Sequence, residues 1–382
     1  MQKRMAMYIH RSLETQIRER LFSGKAIILY GPRQVGKSTL LSFIRQQVAE
    51  SVLVLNCDSL DVHRLLSEPN VEELRRWVGK HKIVLIDEAQ RIVNIGLTLK
   101  LFTDQLPDVQ LLVTGSSALE LANRVNEPLT GRKFEYRLFP LSVKELVDHF
   151  GFMETQRNLG NMLIYGTFPD VIKHPGDEIE ILNNLTGSYL YKDVFIYQDI
   201  RKPELLSKLL EALALQVASE VSFHELSKLL RVDFQTIERY VTLLERAFIL
   251  FRLTAFSRNV RNELKKSRKF YFYDNGIRNA ILRNYAPLES RSDAGALFEN
   301  FWIAERMKYL QSHRIHARSF FWRTTQQQEI DYLEEVDGVL SAWEIKWSPL
   351  KSGKIPLTFT RNYPDALTYN IHSENFWSHL GV

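Results

Sequence analysis

Gly31-Pro32-Arg33-Gln34-Val35-Gly36-Lys37-Ser38 follows a short apolar run, AIILY (26–30), and precedes a stretch with helical periodicity. This is the pattern G-x-x-x-x-G-K-[ST] in the strand–loop–helix setting where it holds phosphates. Its glycines let backbone N–H groups approach an anion, and the following helix turns its positive end toward the same point. Lys37 is placed to reach the β- and γ-phosphates of a nucleotide, and the Ser38 hydroxyl to ligate Mg²⁺. The eight loop residues and Thr39 are therefore the expected binding residues for ATP, with Mg²⁺ as its companion ion.

The next apolar runs are VLVLN (52–56), KIVLIDE (82–88) and QLLVTGSS (110–117), with FEYRLFPL (134–141) as a last strand. Helical stretches separate them, so they are expected to form a buried parallel sheet with crossover helices. Asp87 ends one strand, where a carboxylate can hold Mg²⁺ through water. Glu88 beside it can orient or deprotonate an attacking water. Thr114, Ser116 or Ser117 could sense the γ-phosphate or hold that water, Ser116 being the catalytic candidate. Arg132, after Gly131, could reach the nucleotide of a neighbouring subunit, with Arg124 as its rival.

A chain of 382 residues is long enough for two to four domains. Its 45% hydrophobic and 25% charged content excludes disordered and fibrous classes. No apolar run reaches the roughly 18 residues of a membrane span. The opening MQKRMAMYIH lacks the apolar core of a signal peptide. One cysteine, Cys57, excludes an internal disulfide and a multi-cysteine zinc site. A cytoplasmic protein without a membrane partner is expected. The net charge of +5 permits a nucleic-acid partner without demanding one.

Five strings run in order over nearly the whole chain: GPRQVGKSTLL, IVLIDEAQ, LLVTGSSALEL, LTGRKFEYRLFPLS and KFYFYDNGI. Together they resemble a large group of bacterial and archaeal AAA-type ATPases that carry a C-terminal domain of unknown function. The resemblance implies an α/β fold: a P-loop core with a parallel sheet, a helical lid, then a winged-helix-like segment. It also implies ATP hydrolysis and assembly of copies into a ring such as a hexamer. Lys192 in YLYKDVF stands where a second lid cation would be sought. The expected divisions are 1–141 for the ATPase core, 142–202 for the lid, 203–275 for the winged-helix-like segment and 276–382 for the C-terminal domain.

Residues 222–247, SFHELSKLLRVDFQTIERYVTLLERA, carry two apolar stripes: Leu226, Leu229 and Leu230, then Ile237, Val241 and Leu244. The turn between them has Asp233 as a helix cap. Two short helices so joined fit helix-turn-helix geometry, with Gln235, Thr236, Arg239 and Arg246 facing outward. Arg258, Arg261, Lys265, Lys266, Arg268 and Lys269 follow, opposed only by Glu263. Those six, with Arg239, are the expected DNA-phosphate contacts.

Near the end, Glu329-Ile-Asp331 and Ala342-Trp-Glu344-Ile-Lys346-Trp lie on two expected strands joined through an Asp337-Gly338 turn. Alternation puts Glu344 and Lys346 on one face, and the hairpin brings Asp331 beside them. With Glu299 on the preceding helix, the set resembles the PD-(D/E)xK restriction-endonuclease-like nucleases. That resemblance implies an α/β C-terminal domain in which Asp331 and Glu344 hold a second divalent metal, Mg²⁺ or Mn²⁺. Lys346 would activate a metal-bound water, and Glu299 would complete the site. The expected function is an oligomeric ATPase that binds and remodels DNA, structured or branched DNA included. The alternatives are a nucleotide switch that binds a protein partner, and an ATP-regulated nuclease.

Overall fold

A computed structural model describes residues 8–115, 129–187, 203–257, 267–324, 326–351 and 353–382. They divide into two units, one over Tyr8–Phe139 with Arg246–Phe248 and one over Pro140–Glu245 and Ile249–Val382.

The first unit runs α1 (Leu13–Glu19), β1 (Ala26–Tyr30), α2 (Lys37–Gln47), β2 (Val52–Asn56), α3 (Leu60–Ser67), α4 (Val71–Val78), β3 (Ile83–Asp87), α5 (Ile95–Gln105), β4 (Gln110–Gly115) and β5 (Lys133–Arg137). The strands pair in the order β2-β3-β4-β1-β5, and every pairing is parallel. β1 and β4 are buried at every residue, and β3 at all but Asp87. That continuous burial is what a parallel sheet covered on both faces demands of its sequence. The last strand is shorter than FEYRLFPL allows and stops at Arg137. Parallel pairing sets the carboxyl ends of β1, β3 and β4 side by side, where such sheets open their ligand crevice.

The second unit opens with helices α6 (Val143–Phe150), α7 (Phe152–Arg157), α8 (Leu159–Tyr165), α9 (Pro169–Lys173), α10 (Glu178–Leu185) and α11 (Pro203–Leu215). There follow β6 (Glu220–Val221), α12 (Phe223–Leu230), α13 (Phe234–Arg246), β7 (Leu250–Ala255), β8 (Arg268–Phe272) and α14 (Asn275–Leu282). The chain ends with α15 (Ala294–Ser312), β9 (Arg318–Arg323), β10 (Glu329–Val336), β11 (Val339–Ile345), α16 (Leu357–Asn362) and β12 (Leu367–Ile371). Its seven described strands form one mixed sheet in the order β12-β11-β10-β9-β7-β8-β6. β7 pairs antiparallel with β8 and parallel with β9, through Thr254↔Phe320 and Ala255↔Phe321. The boundary expected at 275/276 therefore falls between strands of a single sheet.

The DNG of KFYFYDNGI ties this unit together. Asp274 accepts hydrogen bonds from Thr167 N at 2.7 Å and Ile277 N at 3.1 Å. Asn275 donates to Leu163 O and Leu297 O, and Asn279 to Leu163 O and Ile164 O. All three side chains are buried, so each bond answers a polar group that water cannot reach. Gly166 admits the arrangement: its φ is +73°, and a Cβ there would stand 2.0 Å from an Asp274 carboxylate oxygen. Gly166→Ala is expected to lower the stability of this unit by about 3 kcal/mol, read from its urea midpoint. An unchanged midpoint would show that the knot yields.

No described helix is long and apolar enough to cross a membrane.

Candidate nucleotide site and a second charged cluster

The phosphate loop leaves the carboxyl end of β1 and enters α2. Lys37 is 5% exposed, and its ammonium donates to Gly31 O at 2.9 Å and Pro32 O at 2.7 Å. Gly31 lets the loop pass Leu138, whose carbonyl oxygen would lie 2.3 Å from an added Cβ. Arg11, ahead of α1, is buried; its guanidinium donates to Val35 O at 2.9 Å and also to Phe139 O. It braces the loop from behind. Nothing local marks it in the sequence, because its partners lie 24 and 128 residues away.

Ser38 Oγ donates to both Asp87 oxygens, at 3.0 and 2.9 Å. Thr114, at the end of β4 and 0% exposed, donates its hydroxyl to Asp87 Oδ1 and accepts from Glu88 N at 3.1 Å. Of the three hydroxyls considered, Thr114 is thus fixed beside both acids; Ser116 and Ser117 lie outside the described residues. Glu88 has a φ of +56°, a left-handed conformation that costs a non-glycine residue about 1–3 kcal/mol. The buried Gln90 amide donates to its carboxylate. The sequence reading missed Gln90, although it stands in the IVLIDEAQ string.

Close to these acids the Cys57 thiol is pushed up to about 12, by burial first and then by Asp87, Asp58 and Glu88. A negative field at the strand ends, with a hydroxyl and a carboxylate 3 Å apart, is a donor set that fits Mg²⁺. Ser38 and Asp87 would hold that ion. Ser38 and Thr39 are exposed.

Arg132 lies just before β5, at the opposite end of the sheet from the phosphate loop. β5 and β1 run in parallel register from Lys133↔Ala26 to Arg137↔Tyr30. Five residues at about 3.3 Å each separate Arg132 from the loop by roughly 17 Å, beyond a side chain's reach. It pairs instead with Asp104 at 2.9 Å, both groups partly exposed. Arg124 and Lys192 fall outside the described residues.

In the second unit, Asp233 caps α13 through Thr236 N at 2.7 Å and also accepts from the Thr236 hydroxyl at the surface, Thr236 itself being half-buried. Gln235, Arg239 and Arg246 are exposed. Arg258, Arg261, Lys265 and Lys266 lie outside the described residues. Arg268 is half-buried, its guanidinium 4.4 Å from the centre of the Phe223 ring. Lys269 requires a correction: it was expected at a DNA phosphate, but its side chain is 1% exposed and ion-paired, so no phosphate can reach it.

Lys269 belongs to the other cluster. Its ammonium lies 3.4 Å from Glu299 Oε1 on α15 and touches Glu329 on β10. Tyr271, two residues on and so on the same face of β8, donates to Glu299 at 2.7 Å. Burial, with Asp331 and Glu329 nearby, raises Glu299 to about 8 against the pull of Lys269 and Tyr271. Asp331 sits where the β9–β10 register shifts between Ile330 and Leu333. Such bulges re-aim a side chain; here Asp331 accepts from Ile345 N at 2.8 Å and from Lys346 at 3.2 Å. Lys346 also donates to Glu344 at 2.7 Å. The fold therefore brings Glu299, Asp331, Glu344 and Lys346 into one neighbourhood, with Lys269, Tyr271 and Glu329 added. Among the described residues, no group of three or more His, Cys, Asp or Glu is arranged to hold a metal ion.

Comparison with known proteins bears on each part. Residues 23–147 match a family model described as an AAA domain. Residues 156–287 and 294–375 match two models described as domains of unknown function, DUF8612 and DUF4143. An uncharacterized protein of Mycobacterium tuberculosis is 25% identical over 342 residues, 88% of this chain and 73% of that protein. An uncharacterized protein of Haemophilus influenzae is 28% identical over 291 residues, 68% of this chain and 70% of that one. In structure, the chain is similar to the Walker-type ATPase paby2304 of Pyrococcus abyssi. The TM-score is 0.50 at 16% identity, covering 72% of this chain and 96% of that one. The fold is that of a Walker-type ATPase, and the first unit carries an AAA-type P-loop domain.

Proposed function

We propose that this P-loop ATPase of the AAA type hydrolyses ATP as a homo-oligomer, a ring such as a hexamer, and uses the cycle to bind and remodel DNA. The observation that carries the reading is the convergence of Lys37, Ser38, Asp87, Glu88 and Thr114 at the carboxyl ends of three adjacent strands. Lys37 exchanges the Gly31 and Pro32 carbonyls for the β- and γ-phosphates. Ser38 and Asp87 hold Mg²⁺, which when bound neutralises charge on those phosphates. Glu88, steadied by Gln90, takes the proton of the attacking water. Arg132 reaches the site of a second copy, because its own lies a strand length away.

For DNA, the support is the element order from α11 to β8: helix, strand, helix, helix, strand, strand. That is the order of a winged helix, with α13 as its second turn helix. Exposed Gln235, Arg239 and Arg246 lie on α13, and Arg258, Arg261, Lys265 and Lys266 follow β7 in the sequence, ahead of β8. Arg268 borders them. Such contacts are electrostatic and nearly blind to sequence. Fluorescence anisotropy over a salt series tests this. Lys265→Glu with Lys266→Glu is expected to weaken DNA binding and shallow the salt slope by about two units. Unchanged affinity would remove DNA from the reading.

A second reading, an ATP-regulated nuclease, is favoured by the bulge-borne Asp331 beside Glu344 and Lys346. A divalent ion on Asp331 and Glu344 would then polarise a water that Lys346 orients. Metal-dependent nicking of supercoiled DNA, lost in Lys346→Ala, separates the two readings.

A further inference from the structure

Lys269 serves neither the DNA contacts nor the ATPase, yet it is among the most buried charges described here. An ammonium taken out of water costs several kcal/mol unless its partners are well placed. Its partners come from two distant elements: Glu299 from α15, at 3.4 Å, and Glu329 from β10. Burial opposes the Lys269 charge, but Glu299, Glu329 and Asp331 together hold its pKa above the ordinary lysine range. Lys346 differs, because it is 37% exposed on the solvent side of Asp331 and Glu344. The cluster thus has an inner half, closed around Lys269, and an outer half that Lys346 can leave.

We infer that Lys269 is the resident cation of the inner half and so determines where this cluster can bind a divalent metal. The carboxylate oxygens it holds on Glu299 and Glu329 are the hard donors that Mg²⁺ or Mn²⁺ would take, at about 2.0–2.2 Å. Both cations cannot occupy the same carboxylate oxygens. With the ammonium in place, the inner half is closed to metal, and any divalent ion is confined to Asp331 and Glu344. Without it, Glu299 loses the ammonium that faces it and Glu329 keeps Arg323, 3.4 Å from its other oxygen, so a hard cation is the ligand that relieves the Glu299 side of the pair. The inference does not depend on whether the outer pair binds metal.

The experiment uses the full chain carrying Glu344→Gln, which disables the outer pair, with Mn²⁺ alone as probe and NaCl as the ionic-strength control. That protein is expected to show no Mn²⁺-dependent rise in Tm. Adding Lys269→Ala should lower its Tm in buffer. Mn²⁺, but not NaCl, should restore it, with affinity at least tenfold tighter than for Glu344→Gln alone. Adding Glu299→Gln as well should restore folding in buffer and abolish the Mn²⁺ response. A Lys269→Ala protein that Mn²⁺ neither binds more tightly nor restores, whether folded or not, overturns the inference. So does a Mn²⁺ response that survives Glu299→Gln. Loss of DNA nicking in any variant bears on the nuclease reading alone.

Discussion

Glu88→Gln is expected to leave ATP bound and uncleaved, with turnover reduced by about 10²–10⁴, the usual contribution of a positioned general base. The amide keeps the shape and the contact with Gln90 but cannot take a proton. Lys37→Ala should also abolish hydrolysis, for a different reason: it removes the cation on the β- and γ-phosphates. Single-turnover chemistry and nucleotide binding, measured on the same preparations, distinguish the two. If Glu88→Gln hydrolyses ATP at the parental rate, the base lies elsewhere. The left-handed backbone at Glu88 sharpens the expectation, because a strained residue persists only where the surroundings over-determine it.

Arg132→Ala is expected to cost about 10³–10⁵ in turnover while nucleotide binding survives, the range for an arginine supplied to a transferring phosphoryl group. Because Arg132 lies a strand length from its own loop, the role proposed for it is one toward another copy. Lys37→Ala and Arg132→Ala proteins, each inactive alone, should therefore recover part of the activity when mixed. The Lys37→Ala copy contributes the arginine and the Arg132→Ala copy the intact loop. Specific activity of the unaltered protein should also rise with its concentration. Turnover that is independent of concentration in a species that sediments as a monomer would rule out this role.

The parts of this architecture readable in advance are the local ones. The phosphate loop announces itself because its glycines, lysine and serine must be contiguous. The strands behind it do so because burial on both faces forces continuous apolar runs. Asp331, Glu344 and Lys346 were legible as neighbours since a two-residue turn and a period of two fix a hairpin's geometry. Lys269 misled because KKSRK reads as a solvated charge run, whereas alternation past the aromatic residues of β8 puts Lys269 and Tyr271 together facing Glu299. Arg11 left no trace, since its partners are carbonyl oxygens, which every residue has. The parallel pairing of β7 with β9 was equally hidden: it joins strands more than sixty residues apart, and no local signal records a non-local register.

That pairing determines where the chain can be cut. A fragment starting after Asn275 would keep β9 to β12 but lose β7 and β8. β9 would then become an open edge, its unpaired N–H and C=O groups a template for another copy of the same fragment. The cut would also carry off Lys269, leaving Glu299 without the ammonium that faces it and Glu329 with Arg323. The C-terminal segment is thus half of a shared layer rather than an appendage, and self-association of such a fragment would reflect severed backbone pairing rather than the habit of the whole molecule.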